Sequence, residues 1–216
     1  MKDLFVFAAD ADAGAVVRAV LERPLSLGIR PITFDVDRHP YRDPGMIVSG
    51  PEFARLHKGK YQRVILVWDH CGSGCEKRFD ATQSAERIQT RLDTCTWKDC
   101  SAAVAIVPEL EEWLWRNRPS ICSHFQIDAT QLEAWAAEFG RQFDRTADSI
   151  IREKPKEAFE YVVREKKRRP ISPADYGKIA ARAGLKSWRD SESFALLVET
   201  LRRWFPKEKN GADALL

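Results

Sequence analysis

Acidic residues follow three apolar stretches of this sequence at the point where each stretch ends. They are Asp10 and Asp12 after residues 4–8, Asp69 after residues 64–68, and Glu109, Glu111 and Glu112 after residues 102–107. Clustered carboxylates repel one another, and a divalent cation such as Mg²⁺ relieves that repulsion because it takes oxygen ligands and waters. A metal held in this way supports phosphoryl transfer or phosphodiester hydrolysis. Acids are also frequent at helix N-termini, where capping alone explains them, so both interpretations stay open.

Apolar strands and amphipathic helices alternate through the first half of the chain, and this order would bring the acids together. Strands are predicted at 4–8, 28–36, 63–68 and 102–107, and helices at 13–22, 51–56, 81–93 and from residue 108. Such alternation predicts a parallel α/β sheet flanked by helices, in which all strands end at one edge. The polar stretch 37–45 contains prolines and a glycine and is predicted to be a loop.

From about Ser120 the pattern becomes entirely helical. Helices are predicted at 129–139, 156–167, 172–183 and 191–205. We therefore expect an α/β domain over residues 1–119, a helical region over 120–206 that packs on it, and a flexible tail over 207–216.

The composition predicts a cytoplasmic protein. No apolar stretch reaches the roughly 18 residues that a membrane span needs, and the N-terminus lacks a cleavage site typical of secretion. The five cysteines are an odd number, which favours a reducing compartment. The net charge of +3 is too small to indicate nucleic-acid binding by itself. However, the basic run Lys166, Lys167, Arg168 and Arg169 is a candidate for phosphate contacts, or else a solvated helix end.

The acidic motifs resemble those of the Toprim family, specifically the Toprim-like proteins of bacterial anti-phage loci and the Toprim part of overcoming-lysogenization-defect nucleases. The similar segments are Ala8-Ala9-Asp10-Ala11-Asp12, Asp69-His70-Cys71 and Pro108-Glu109-Leu110-Glu111-Glu112-Trp113-Leu114, within residues 3–117. The segments Tyr176-Gly177-Lys178 and Ser193-Phe194 resemble the C-terminal parts of such proteins less specifically. The resemblance implies a Toprim-like fold and an Mg²⁺-dependent nuclease acting on nucleic acid in antiviral defence.

Two positions depart from the family pattern. Ala8 stands where the family has a glutamate proposed as the general acid/base, and Cys71 replaces the second aspartate of the central pair. Alanine can neither bind a metal nor transfer a proton. Two hypotheses follow from the resemblance. In the first, Asp10, Asp69 and Glu111 are catalytic, with Asp69, Glu111 and Asp12 as metal ligands. In the second, the chain is a catalytically degenerate subunit that binds partner proteins of a defence operon.

Other residue groups offer alternative sites. His70 with Cys71, Cys75, Cys95 and Cys100 has donors suited to Zn²⁺, although cysteines also pack as small apolar residues. The turn 72–74 (Gly-Ser-Gly) could hold a phosphate through its N–H groups, or be a plain tight turn. His39, with Asp35, Asp37 and Asp43, could supply a proton-transfer group or further metal ligands, or form a self-satisfied polar loop.

Overall fold

A computed structural model describes residues 1–207 of the chain. Within these residues one sheet contains four parallel strands in the order β2-β1-β3-β4. The strands are β1 (Lys2–Ala8), β2 (Phe34–Arg38), β3 (Tyr61–Asp69) and β4 (Ser101–Ile106). The predicted α/β class with a parallel sheet and C-terminal helices is therefore confirmed.

Helices cover both faces of the sheet. Those of the first half are α1 (Ala11–Leu21), α2 (Pro24–Leu27), α3 (Arg42–Arg55), α4 (Ala81–Leu92) and α5 (Glu111–Trp115). Those of the second half are α6 (Arg118–Phe125), α7 (Ala129–Arg141), α8 (Ala147–Glu153), α9 (Pro155–Glu160), α10 (Pro173–Arg182), α11 (Leu185–Trp188) and α12 (Glu192–Trp204). A kinked segment, Asp93–Trp97, follows α4, and its Thr96 has a φ of 79°. A π-helical segment, Tyr161–Lys166, extends α9. No helix in this part of the chain has the length and apolarity needed to cross a membrane.

Strand β3 lies at the centre of the core because it pairs with β1 on one side and β4 on the other. Its residues 64–68 are all fully buried. A strand covered on both faces needs an unbroken apolar run of this kind, because no side chain of the run reaches water. Helices α3 and α4 bury one face of the sheet, whereas α1 and the C-terminal helices bury the other.

The C-terminal helices continue the buried cluster that lies behind β1 and β4. Helix α10 packs along α1, and α12 packs beside β4. The indole Nε1 of Trp113 donates a hydrogen bond of 2.9 Å to Ser193 Oγ, which joins α5 to α12. This packing brings α9 and α10 to the edge of the sheet where the strands end. Residues 208–216 of the predicted tail lie outside the described residues.

The second strand and the following loop were predicted incorrectly. Strand β2 covers Phe34–Arg38 and not 28–36. Gly28, predicted to open the strand, instead ends α2 with a φ of 77°. Strand β2 takes the first two residues of the predicted loop 37–45, and helix α3 takes its last four. Helix α3 continues through Pro51, so the predicted helix 51–56 is its last part. Gly45 does not mark a turn: a Cβ there would lie 2.1 Å from His39 Nδ1. The glycine is needed for close packing against the His39 ring.

Candidate functional site

Asp69, the last residue of β3, lies at the centre of the acidic edge. Its Oδ1 atom is buried and has no hydrogen-bond partner among the described residues. Its backbone N–H donates a 2.8 Å hydrogen bond to Asp43 Oδ1, so the first turn of α3 is joined directly to the end of β3. A buried carboxylate oxygen without a donor is costly unless a proton or a cation compensates it.

The electrostatic surroundings of Asp69 are strongly acidic. Burial raises the pKa of Asp69 well above its usual value, and the charges of Glu111, Asp43 and Asp10 raise it further. The charge of Lys156 opposes these effects and lowers this pKa. Helices α1, α3 and α5 thus direct acids from three strand ends toward the end of β3. The convergence expected from a parallel sheet is present for these side chains.

Glu111, in the first turn of α5, is the second carboxylate of this site. Glu111 is only 3% exposed, and Tyr176 Oη donates a 2.6 Å hydrogen bond to its Oε1 atom. The other oxygen, Oε2, is buried and unpartnered within the described residues. Burial raises the pKa of Glu111 to about 7, although the Tyr176 hydrogen bond and the charge of Lys156 both act to lower it.

Lys156 is a cation that lies close to these carboxylates, and the sequence analysis did not assign it a role. Burial acts to lower the pKa of Lys156, but the charges of Glu111, Glu109 and Asp69 outweigh burial, so the pKa is raised. Its Nζ atom lies 3.8 Å from Glu109 Oε1. One sequence signal was present: Lys156 directly follows Pro155 in the first turn of α9, where a cation is unfavourable unless something else attracts it.

Asp10 and Asp12 differ in how their carboxylates are used. Asp10 caps α1, because its Oδ1 accepts hydrogen bonds from the N–H groups of Asp12 and Ala13 at 3.0 and 2.9 Å. Its Oδ2 pairs with Arg42 at 2.8 Å. The Asp12 carboxylate has no such partner among residues 1–207, and burial together with the charge of Asp10 raises its pKa to about 6. Both acids line an open cleft of about 550 Å³.

The donor set suits a cation held by few protein ligands. Among residues 1–207 no three His, Cys, Asp or Glu side chains form a group arranged to hold a metal ion. Asp10, Asp12, Asp69 and Glu111 therefore do not form a ready-made cage. However, Mg²⁺ in enzymes is commonly bound by one or two carboxylates together with waters and substrate phosphates. The unpartnered oxygens of Asp69 and Glu111 fit that requirement.

The cysteine and histidine group is not assembled into one site. Cys75 contacts the hydroxyls of Ser73 and Ser84 at 3.0 and 3.1 Å, beyond the end of β3. Cys100 precedes β4 and contacts Arg63 at the opposite end of the sheet. Strands of this length separate their ends by roughly 20 Å, so these thiols cannot bind the same zinc ion.

The glycine turn and the His39 group are both satisfied by nearby protein atoms. The hydroxyl and the backbone N–H of Ser73 both donate to the His70 carbonyl, at 2.6 and 3.3 Å, and the Gly74 backbone donates to the carboxylate of Glu76, so these groups of the turn have partners within the chain. His39 is 1% exposed, and its ring nitrogens contact Ser49 Oγ and the Tyr41 N–H, both at 3.1 Å.

The predicted acids around His39 are separated by their own partners. Asp35 binds Lys2 and Tyr61, Asp37 accepts a hydrogen bond from the Arg38 N–H, and Asp43 accepts one from Asp69. The four residues therefore do not form a common ligand set.

The basic run lies at the end of the π-helical segment that follows α9. Lys166 pairs with Glu138 at 2.6 Å, and Arg169 pairs with Asp175. Lys167 and Arg168 make no ion pair within the described part of the chain. The segment leads into the cleft beside Asp10 and Asp12, since Ile171 and Pro173 line that cleft.

Ala8, which stands where the Toprim pattern has a glutamate, is fully buried. Ala8 pairs with Arg38 of β2 and Val67 of β3, and its side chain lies in the core behind β1. It therefore faces the core rather than the acidic cleft. A scan against protein-family models, a search of curated proteins and a search of solved structures each found no match to this chain, so the Toprim resemblance stays a prediction.

Proposed function

We propose that this chain is a divalent-metal-dependent phosphodiester hydrolase of the nuclease class, with its active site at the acidic edge of the sheet. The observation that carries the proposal is the pair of buried, unpartnered oxygens of Asp69 and Glu111. Both belong to carboxyl groups whose pKa is raised by burial. Such a pair is stabilised by a bound cation more than by any group that the described residues supply.

In this proposal Asp69 and Glu111 hold the cation, which would supply positive charge to a phosphate oxygen as the phosphodiester bond breaks. Tyr176 keeps Glu111 in place through its hydrogen bond. Lys156 lowers the repulsion among the acids and attracts the phosphate backbone.

Asp12 is the better candidate for proton transfer than Asp10. Its pKa of about 6 lies close to neutral pH, where a carboxyl group can both accept and release a proton. The oxygens of Asp10 are instead used in capping α1 and in pairing with Arg42. The sequence analysis chose Asp10 as catalytic and Asp12 as a metal ligand. In this proposal Asp12 takes the catalytic role instead, and Asp10 caps α1 and pairs with Arg42.

A second candidate function is that of a non-enzymatic subunit that binds partner proteins. Two observations favour it: Ala8 is buried in the core at the position of the family's general acid/base, and Lys156 already offsets part of the acidic charge. In this case the acidic edge would be a remnant whose repulsion is relieved by Lys156 and by protonation.

A plasmid-nicking assay distinguishes the two candidates. Supercoiled plasmid is incubated with Mg²⁺ or Mn²⁺ and with wild-type protein or Asp69→Asn, which keeps the side-chain shape. Asp128→Asn is the matched control, because Asp128 caps α7 away from the site and asparagine caps equally well.

We expect metal-stimulated nicking by the wild type and by the control, and at least a hundredfold loss in Asp69→Asn. No metal stimulation in the wild type, or equal nicking by Asp69→Asn, contradicts the hydrolase and favours the subunit. The antiviral role implied by the Toprim resemblance is tested by plating phage on cells that carry the wild-type protein or Asp69→Asn.

A further inference from the structure

A slot of about 770 Å³ runs along the outer edge of β4, between α4 and α12. Its floor includes the small side chains of Ala103 and Ala105. Ala85 of α4 and Leu196 of α12 form parts of its opposite walls, and Leu196 is 45% exposed. Small floor residues leave space above the strand edge, whereas larger ones would close it.

The backbone along this edge has free hydrogen-bonding groups. The N–H groups of Val64 and His70 in and after β3 donate to the carbonyls of Cys100 and Ile106, at 3.0 and 2.8 Å. Backbone groups of successive residues in a strand point to opposite sides, so those of Ala103 and Ala105 point away from β3. Among residues 1–207 no strand lies beyond β4, and no group bonds these outward atoms.

The walls of the slot carry a strong negative charge. Its lining contains five acids and one arginine, and that arginine, Arg116, is already paired with Glu112. The acids are Asp80, Glu86, Glu112, Asp190 and Glu192. Oε2 of Glu112 is also buried without a partner in the described structure. The residues of β4 are buried, Ala103 and Ala105 being 6% and 8% exposed, but their unpaired outward backbone groups border the slot. Strand edges with unpaired groups are usually protected from pairing, and here the acidic walls would repel acidic segments and attract basic ones.

We propose that this slot binds an extended, lysine- or arginine-bearing segment of another protein, which adds as a strand to the edge of β4. Backbone hydrogen bonds to Ala103 and Ala105 would provide affinity, and Glu86 and Asp190 would select for basic side chains. The alanine floor favours short side chains at the alternate positions that face it. The proposal does not depend on the acidic site at the ends of the strands.

The test uses a fluorescein-labelled peptide of eight residues that alternates Lys and Thr and has blocked ends. Its binding to the full-length protein is measured by fluorescence anisotropy. A second peptide has Glu in place of Lys, and a third carries N-methyl groups on alternate residues, which removes strand hydrogen bonds but keeps the charge. The protein variants are Glu86→Lys with Asp190→Lys, and the charge-matched control Glu22→Lys with Glu165→Lys, whose exposed residues lie outside the slot.

We expect the Lys peptide to bind the wild type and the control variant with similar affinity. The slot variant and the N-methylated peptide should each weaken binding by about tenfold or more, and the Glu peptide should not bind. Equal weakening in both protein variants would show general charge attraction and overturn the proposal. Undiminished binding of the N-methylated peptide, or no binding of the Lys peptide, would overturn it too. A dimer in sedimentation velocity that only the slot variant loses would instead assign the slot to a second copy of the chain.

Discussion

Replacing Glu111 with glutamine tests how strongly the acidic site destabilises the metal-free fold. Burial raises the pKa of Glu111 from its usual 4.5 to about 7. Each pKa unit corresponds to about 1.4 kcal/mol, so the ionised side chain costs the fold about 3 kcal/mol at alkaline pH. Glutamine has nearly the same shape and carries no charge, and it can still accept the hydrogen bond from Tyr176.

The difference in proton binding between the folded and unfolded chain determines how the free energy of unfolding changes with pH. The folded protein holds this proton more tightly than the unfolded chain does, so the contribution of Glu111 is most favourable below about pH 4.5. The free energy of unfolding then decreases as pH rises, until the group is ionised in both states above about pH 7. Glu111→Gln removes this decrease. Relative to wild type, the variant should therefore gain about 3 kcal/mol between pH 4.5 and pH 8.5.

Urea denaturation at both pH values, in buffer containing EDTA, measures this difference. Glu199→Gln is the matched control, since Glu199 is exposed in the middle of α12. The control should keep the wild-type dependence on pH. If Glu111→Gln and wild type lose the same stability between the two pH values, Glu111 is not a destabilised carboxylate and the reasoning about the site is refuted.

Three further substitutions have defined outcomes. Tyr176→Phe removes the hydrogen bond that lowers the pKa of Glu111, so it should cost about 1 kcal/mol and extend the pH-dependent loss of stability above pH 7, as measured by urea denaturation. Gly45→Ala should destabilise by about 1–3 kcal/mol in thermal unfolding, because its Cβ would overlap the ring of His39. Ala8→Glu should lower the melting temperature and should not raise metal-stimulated nicking above that of the wild type, since residue 8 faces the core and not the cleft.

The elements that the sequence predicted well are those with a strong local pattern. The run at 64–68 predicted β3, and Asp80 and Asp128 each precede a helix with a complete capping box. The prediction for the region after β2 was wrong, because its prolines and glycines indicate a loop when only the local sequence is considered. Gly45 instead allows close packing against His39, and that contact depends on the folded chain.

The candidate site was predicted only in part for the same reason. The ends of parallel strands can be inferred from sequence, which is why Asp69 and Glu111 were chosen as candidates. Lys156 belongs to α9, and Tyr176, which donates a hydrogen bond to Glu111, belongs to α10. Both side chains reach the site only because the C-terminal helices pack on α1 and α5. The different uses of Asp10 and Asp12 also depend on Arg42, whose helix was not predicted.

Titration calorimetry with Mn²⁺ at pH 7.5 tests the central claim, that Asp69 and Glu111 bind one divalent cation between them. The wild-type protein and the Asp128→Asn control should bind one ion with the same affinity. Asp69→Asn and Glu111→Gln should each lose most of the binding heat, because either change removes one of the two unpartnered carboxylates that share the cation in this proposal. The claim is contradicted if the wild type binds no Mn²⁺, or if both variants bind it as the wild type does.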